Sequence, residues 1–280
     1  FPYGVEVNKS GFNYVNEDLE PEDNQIFQSI DKNKCYSNEL KNLPYLIMCD
    51  IKSMKHTKIN ELQQKHEIVG HYLYSVCIDK GNIIIPSNGI YEGNTLIEAR
   101  KLGINFRIIE EQKTIQKENY LKSFVNDLYS KLSNEHFKTI INIFIGKFEC
   151  SNKPFTVLKD DKIMNNDEKK TFDGMTASLT KNLHIGYNEE TIYEVFNRKP
   201  ISVQIKDRSR IRLYKMMCAL KLQNHQIKQI RTDSITFVAN NVTEDYKQYI
   251  TNELSGWNEN DYKEMSKPTV INPEPFTFDY

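Results

Sequence analysis

Between Leu121 and Phe144 apolar residues recur twice in succession with helical spacing, which restricts the chain to folds that give a helix pair a surface to pack on. Leu121, Phe124, Val125, Leu128 and Leu132 fall at i, i+3, i+4, i+7 and i+11 and form one stripe. After a bend expected at Ser133-Asn134, Phe137, Ile140, Ile141 and Phe144 repeat the pattern. A third helix is expected over 203–222, and a short one over 95–102 closed by Gly103. Apolar or alternating runs at 45–49, 68–78, 82–86 and 104–109 read as strands. Two more, at 226–230 and 235–239, flank Arg231-Thr232-Asp233-Ser234 and propose a hairpin. Residues 1–44 read mostly as loop around a short segment at 25–30, and 151–170 as another loop. The expectation is an α+β fold, with a helix pair projecting from a small antiparallel sheet.

Charge is balanced overall, 37 basic residues against 38 acidic, which excludes a uniformly basic nucleic-acid coat protein. Its distribution is uneven. From Arg198 to Arg231 there are ten Lys or Arg against the single acid Asp207, whereas 241–280 holds eight acids and three Lys. Five scattered cysteines without a C-x-x-C pair suggest neither a zinc knuckle nor a disulfide framework, and suit a reducing, intracellular compartment. No apolar run approaches the roughly 18 residues needed to span a bilayer, so no membrane association is expected. No G-x-x-x-x-G-K-[ST] loop is present, so a P-loop nucleotide site is excluded. His66 and His71 are spaced i, i+5, about 140° apart on a helix, and cannot clamp one zinc ion. The single Trp257 reads as a packing residue.

Order and spacing carry more information. Lys138-x-x-x-Asn142-x-x-x-Gly146-Lys147-Phe148, followed by Thr232-Asp233-Ser234, resembles motifs B and C of family B DNA polymerases. The likeness is strongest to the viral and plasmid branch that includes protein-primed enzymes. Gly89-Ile90-Tyr91 through Gly103 resembles the G-x-Y stretch that precedes the fingers in this branch. Residues 205–214, ending Arg210-Ile211-Arg212-Leu213-Tyr214, resemble the arginine-bearing palm helix before motif C. Phe1-Pro2-Tyr3-Gly4 resembles the segment after motif A, which would place the motif A aspartate upstream of this chain. Asp50-Ile51-Lys52-Ser53-Met54 matches the D-x-x-S-hydrophobic opening of motif A but lacks the Tyr-Pro that continues it.

The resemblance implies a palm-like antiparallel sheet with a helical fingers hairpin. It divides the chain into a palm-associated β region (1–110), fingers helices with motif B (111–150), palm with the motif C hairpin (151–240) and an extension toward a thumb (241–280). It implies template-directed nucleotidyl transfer, with primer-template DNA and deoxynucleoside triphosphates as partners and, in protein-primed members, a protein primer. Lys138 would meet the triphosphate, and Asn142 and Gly146 would shape the nucleotide pocket. Asp233 would be the catalytic carboxylate that holds Mg2+, its partner acid unassigned. Arg208, Arg210, Arg212 and Lys215 would contact DNA, with Arg208, Arg212 and Lys215 forming a cationic stripe able to track phosphates. Departures stand beside the matches. Arg231 occupies the place of a motif C acid, and Ile143 and Ile145 replace the Ser and Tyr of motif B. These departures motivate the alternative of a polymerase-like domain that binds DNA or serves structure without chemistry.

Overall fold

The computed structural model describes residues 12–16, 18–19, 26–50, 56–59, 67–148, 174–176, 185–187, 196–197, 199–222, 226–239, 246–251, 254 and 256–260. In chain order these form β1 (Asn13–Val15), β2 (Phe27–Lys32), α1 (Cys35–Asn42), β3 (Leu46–Asp50), β4 (His56–Lys58), β5 (Leu73–Cys77), β6 (Gly89–Glu92), α2 (Gly93–Lys101), β7 (Arg107–Gln112) and β8 (Ile115–Lys117). There follow α3 (Leu121–Lys131), α4 (Asn134–Lys147), β9 (Gly174–Thr176), β10 (Ile185–Tyr187), β11 (Phe196–Asn197), α5 (Lys199–Ala219), β12 (Ile227–Arg231), β13 (Ser234–Val238) and β14 (Trp257–Asn260). The fold is α+β with antiparallel sheets. Among the described residues no helix is long and apolar enough to cross a membrane.

The principal sheet has the order β1-β12-β13-β2-β14 and draws its strands from distant parts of the sequence. Ile30 of β2, Ile227 and Ile230 of β12, and Ile235 and Phe237 of β13 bury their side chains in one core. Leu213, Met216 and Met217 from the second half of α5 pack into that same core. The first half of α5 belongs elsewhere. Ile201 and Ile205 join Val125, Phe137, Ile141 and Ile145 in a core built around the helix pair, to which Leu40 and Leu46 contribute from α1 and β3. A helix shared by two cores is buried almost all round, which is why α5 carries no clean polar face.

Several of the polar groups that α5 buries are hydrogen-bonded, although the buried Arg208 Nε has no hydrogen-bond partner among the described residues. Gln204 accepts from the Ile47 backbone N–H at 3.0 Å and donates to Glu92 at 3.1 Å. Asp207 accepts from the Glu92 backbone N–H at 2.8 Å and pairs with Arg210, whose Nε also donates to the Ile84 carbonyl at 3.3 Å. Desolvation is the main cause that pushes the Glu92 carboxyl up to about 7 and the Asp207 carboxyl up to about 6.

The helix pair forms as its periodicity predicts. Ser133 caps α4, its hydroxyl accepting from the His136 N–H at 3.4 Å. The helices lock through Tyr129 against Phe137, with ring centroids 5.3 Å apart, and Phe124 against Phe144 at 4.9 Å. Helix α2 ends at Gly103 with φ +72°, a left-handed conformation that glycine adopts without strain.

Four sequence expectations are corrected. The run at 82–86 is no strand. Asn82 turns it by accepting from the backbone N–H groups of Ile84 and Ile85, both at 2.9 Å, while Ile83, Ile84 and Ile85 are buried. Residues 27–42, read mostly as loop, form β2 and α1. The strand expected over 68–78 begins at Leu73, because Tyr72 N–H bonds back to the Val69 carbonyl in a turn. That expected over 104–109 begins at Arg107, because Ile104 N–H closes α2 on the Ala99 carbonyl. The loop expected at 151–170 and the Phe1–Gly4 likeness lie outside the described residues. Trp257 is buried in β14, as a packing residue should be.

Candidate active site

Strands β12 and β13 are joined by the two-residue turn Thr232-Asp233, the tightest hairpin connection available. Thr232 carries φ 55°, a left-handed conformation that costs a β-branched residue about 1–3 kcal/mol. The neighbouring chain holds the turn in place. Thr232 N–H donates to the Phe12 carbonyl at 2.8 Å, and Lys32 N–H donates to the Asp233 carbonyl at 2.9 Å. A strained tip fixed from both flanks presents Asp233 at the end of the principal sheet.

Strand β2 lies beside β13, with Asp31 opposite Ser234. This register brings the Asp31 and Asp233 side chains into hydrogen-bond contact. Two carboxyl groups can bond to one another only by sharing a proton, and the Asp233 carboxyl is accordingly displaced well above the usual carboxylate range. Burial is the main cause, the Asp31 charge and hydrogen bond add to it, and the Lys138 ammonium pulls the other way. Lys138 therefore lies near enough for its charge to act on Asp233. It lies one turn into α4, with Asn142 and Gly146 one and two turns farther along the same exposed row. A methyl group added at Gly146 would meet no atom of the described residues within 4 Å.

Asp31 was not singled out by sequence reasoning, although a signal was present. Tyr36 stands five residues after Asp31, the separation of the Asp and Tyr in the D-x-x-S-hydrophobic-Tyr-Pro pattern. The Ser and Pro positions hold Lys34 and Ser37 instead. Asp50 ends β3, in the separate sheet ordered β11-β3-β8, whereas Asp31 adjoins Asp233.

The basic residues of α5 divide. Arg210 is only 3% exposed, its guanidinium committed to Asp207 and to the face of Tyr91 at 5.5 Å. Its assignment as a DNA contact is corrected: it neutralises a buried acid. Arg212 is half-exposed and pairs with Glu39, a buried carboxylate that desolvation raises and Arg212, Arg208 and Lys32 hold down. Arg208 is half-buried and its charge acts on Glu39 and Glu92. Lys215 stands exposed. Among Arg208, Arg210, Arg212 and Lys215, solvent-facing charge thus narrows to Lys215 and the outer part of Arg212.

No protein-family model and no curated protein sequence matches the chain. Solved structures do. The chain is similar to Phi29 DNA polymerase complexed with single-stranded DNA, with 14% identity and a TM-score of 0.52 over 89% of this chain. It is similar in the same degree to Phi29 DNA polymerase bound to primer-template DNA and incoming nucleotide substrates, and to primer-template DNA alone, with TM-scores of 0.52 and 0.53. The fold is polymerase-like. The chain spans 44% to 45% of the length of these polymerase chains.

The raised Asp233 carboxyl gives the metal-free protein a pH signature. A carboxyl whose folded pKa exceeds its unfolded value near about 4 contributes stability that is fully present below that value and is lost as pH rises through the folded pKa. Glu92 and Asp207 act with the same sign. The melting temperature in EDTA is therefore expected to fall between pH 5 and pH 8, in the window set by about 4 for the unfolded carboxyls and about 7 for folded Glu92. Mg2+ should recover part of the loss at pH 8, because the pair is then ionised and able to bind it. A melting temperature indifferent to Mg2+ at pH 8 would count against Mg2+ binding by the pair.

Proposed function

We propose that this chain carries the nucleotidyl-transfer centre of a DNA-directed DNA polymerase of the family B type, with primer-template DNA and deoxynucleoside triphosphates as its substrates. The observation that carries this reading is the Asp31–Asp233 pair, with the Lys138 charge acting on it, within a polymerase-like fold. Two carboxylates held together in a half-buried site repel one another and are desolvated. A fold retains such an arrangement at a cost that a purely structural module has no reason to bear, so the inert alternative is disfavoured.

The donor set suits Mg2+, a hard cation that takes oxygen ligands and is commonly held by one or two carboxylates, with substrate phosphates and water completing its shell. Among the described residues no group of three or more His, Cys, Asp or Glu competes for it. When bound, the metal polarises the primer hydroxyl and neutralises charge on the leaving pyrophosphate. The chain's residues do the rest. Asp31 and Asp233 must surrender their shared proton before binding, and Thr232 fixes the direction in which Asp233 points. Lys138 places an ammonium where negative charge accumulates on the triphosphate. Asn142 and Gly146 leave the row beyond it open for the nucleotide, and Lys215 with the outer part of Arg212 faces DNA phosphates.

Primer extension tests the reading. With Mg2+ and a template that calls for four different nucleotides in turn, incorporation is expected to follow template order when nucleotides are supplied singly. Binding of primer-template without any extension would return the chain to the inert alternative, and extension regardless of template would make it a terminal transferase.

A further inference from the structure

Lys34 joins the two halves of this site. Its backbone lies in the left-handed region, with φ 49° and ψ 48°, a conformation that non-glycine residues adopt rarely. Its carbonyl accepts from the Ser37 hydroxyl at 2.8 Å and from the Asn38 N–H at 3.0 Å, so the first turn of α1 holds the residue there. The side chain crosses to the helix pair. Its Nζ donates to Asn134 Oδ1 at 2.7 Å and stands 4.4 Å from the Tyr129 ring centroid and 5.2 Å from that of Phe137. Tyr129 belongs to the last turn of α3, and Asn134 and Phe137 to the first turn of α4. One ammonium thus grips both helices at their joint. Partial burial pushes its pKa down.

The placement links the catalytic groups by short paths. Lys34 follows Asp31 by three residues, and Phe137 immediately precedes Lys138. Without the clasp, the joint is tied to the β2 side through the apolar packing of α1 on α3 and α4, which fixes neither height nor rotation as sharply as a directional hydrogen bond. We propose that Lys34 is a positioning residue: it clasps the α3–α4 joint to the strand that carries Asp31 and so sets the distance of Lys138 from the carboxylate pair. The inference rests on the polymerase reading above for its effect on catalysis, but not for the clasp itself.

Two substitutions and two readouts test it. Lys34→Met keeps the apolar stem and removes the charge and donors, and Lys34→Arg keeps both. Lys34→Met is expected to raise the nucleotide KM about tenfold and to lower kcat, with primer-template Kd and melting temperature close to wild type. Lys34→Arg is expected to restore the nucleotide KM to within about threefold of wild type. An unchanged nucleotide KM in Lys34→Met overturns the proposal. So does equal loss by the Met and Arg variants, or a joint loss of nucleotide affinity, DNA affinity and melting temperature, which would mark a general structural role. Hydrogen exchange supplies the readout that needs no activity. Amides of 129–138 should exchange faster in Lys34→Met while those of α5 do not change. If the wild type fails to extend primers, the polymerase reading falls on that result alone, and exchange still decides the clasp. Exchange over 129–138 equal to wild type overturns it.

Discussion

Asp31→Asn is expected to lower template-directed extension by on the order of 10³-fold or more while making the metal-free protein more stable at pH 8. The two effects have opposite signs for one physical reason. With Mg2+ and substrate in place, the second carboxylate supplies the charge that holds the metal at the reacting atoms, and a neutral amide of the same shape does not. Without metal, the same charge only repels Asp233 and raises its carboxyl. Removing it relieves that repulsion and lets an amide N–H donate to Asp233. Asp233→Asn should show the same loss of extension. A residue that merely completed the sheet would do the reverse, since its removal would lower the melting temperature and leave chemistry largely intact. Single-turnover extension and thermal melts in EDTA on the same preparations decide between them. Extension by Asp31→Asn within tenfold of wild type would discard the pair as the metal clamp.

The second large effect is expected at Lys138. Lys138→Ala should lower kcat/KM for nucleotide by about 10²–10³-fold, the range seen when one donor to developing charge is removed, with primer-template affinity little altered. The residue is exposed on α4, so stability should stay within about 0.5 kcal/mol of wild type. Lys138→Arg is expected to recover only part of the activity, because a planar guanidinium does not place its charge where a compact ammonium does. Steady-state kinetics over a range of nucleotide concentrations measures this. A change confined to DNA affinity would reassign Lys138 to the primer or template strand.

The helix pair and the hairpin around Asp233 were legible because each rests on a local rule, a 3.6-residue stripe and a turn between two β-rich runs, and α5 was legible as a long run without Gly or Pro in its interior. Asp31 was not, for a local reason as well. Strand β2 reads Phe-Gln-Ser-Ile-Asp-Lys, and its buried positions include Ser29 and Lys32, so hydrophobic alternation does not mark it. It is a strand because β13 and β14 flank it, and no property of its own six residues specifies those neighbours. Arg210 shows the converse failure. A count of basic residues along α5 makes it part of a positive surface, but the helix is enclosed on nearly all sides and the basic density there partly serves Asp207 and Glu39. Spacing places Arg208, Arg212 and Lys215 along one stripe, but it does not say which sides of a helix packed into two cores remain wet.

Helix α5 has one further consequence. Its 21 residues make a rod of about 31 Å whose two ends are anchored in different cores. Deleting a single residue near its middle would turn the far half by about 100° and swing Leu213, Met216 and Met217 off the principal sheet. Side chains along the rod can drift as long as they fill the same volumes, but their number cannot. A lineage built on such a rod is free to lose nearly all recognisable sequence and still keep its shape, because what is inherited there is a count rather than a spelling.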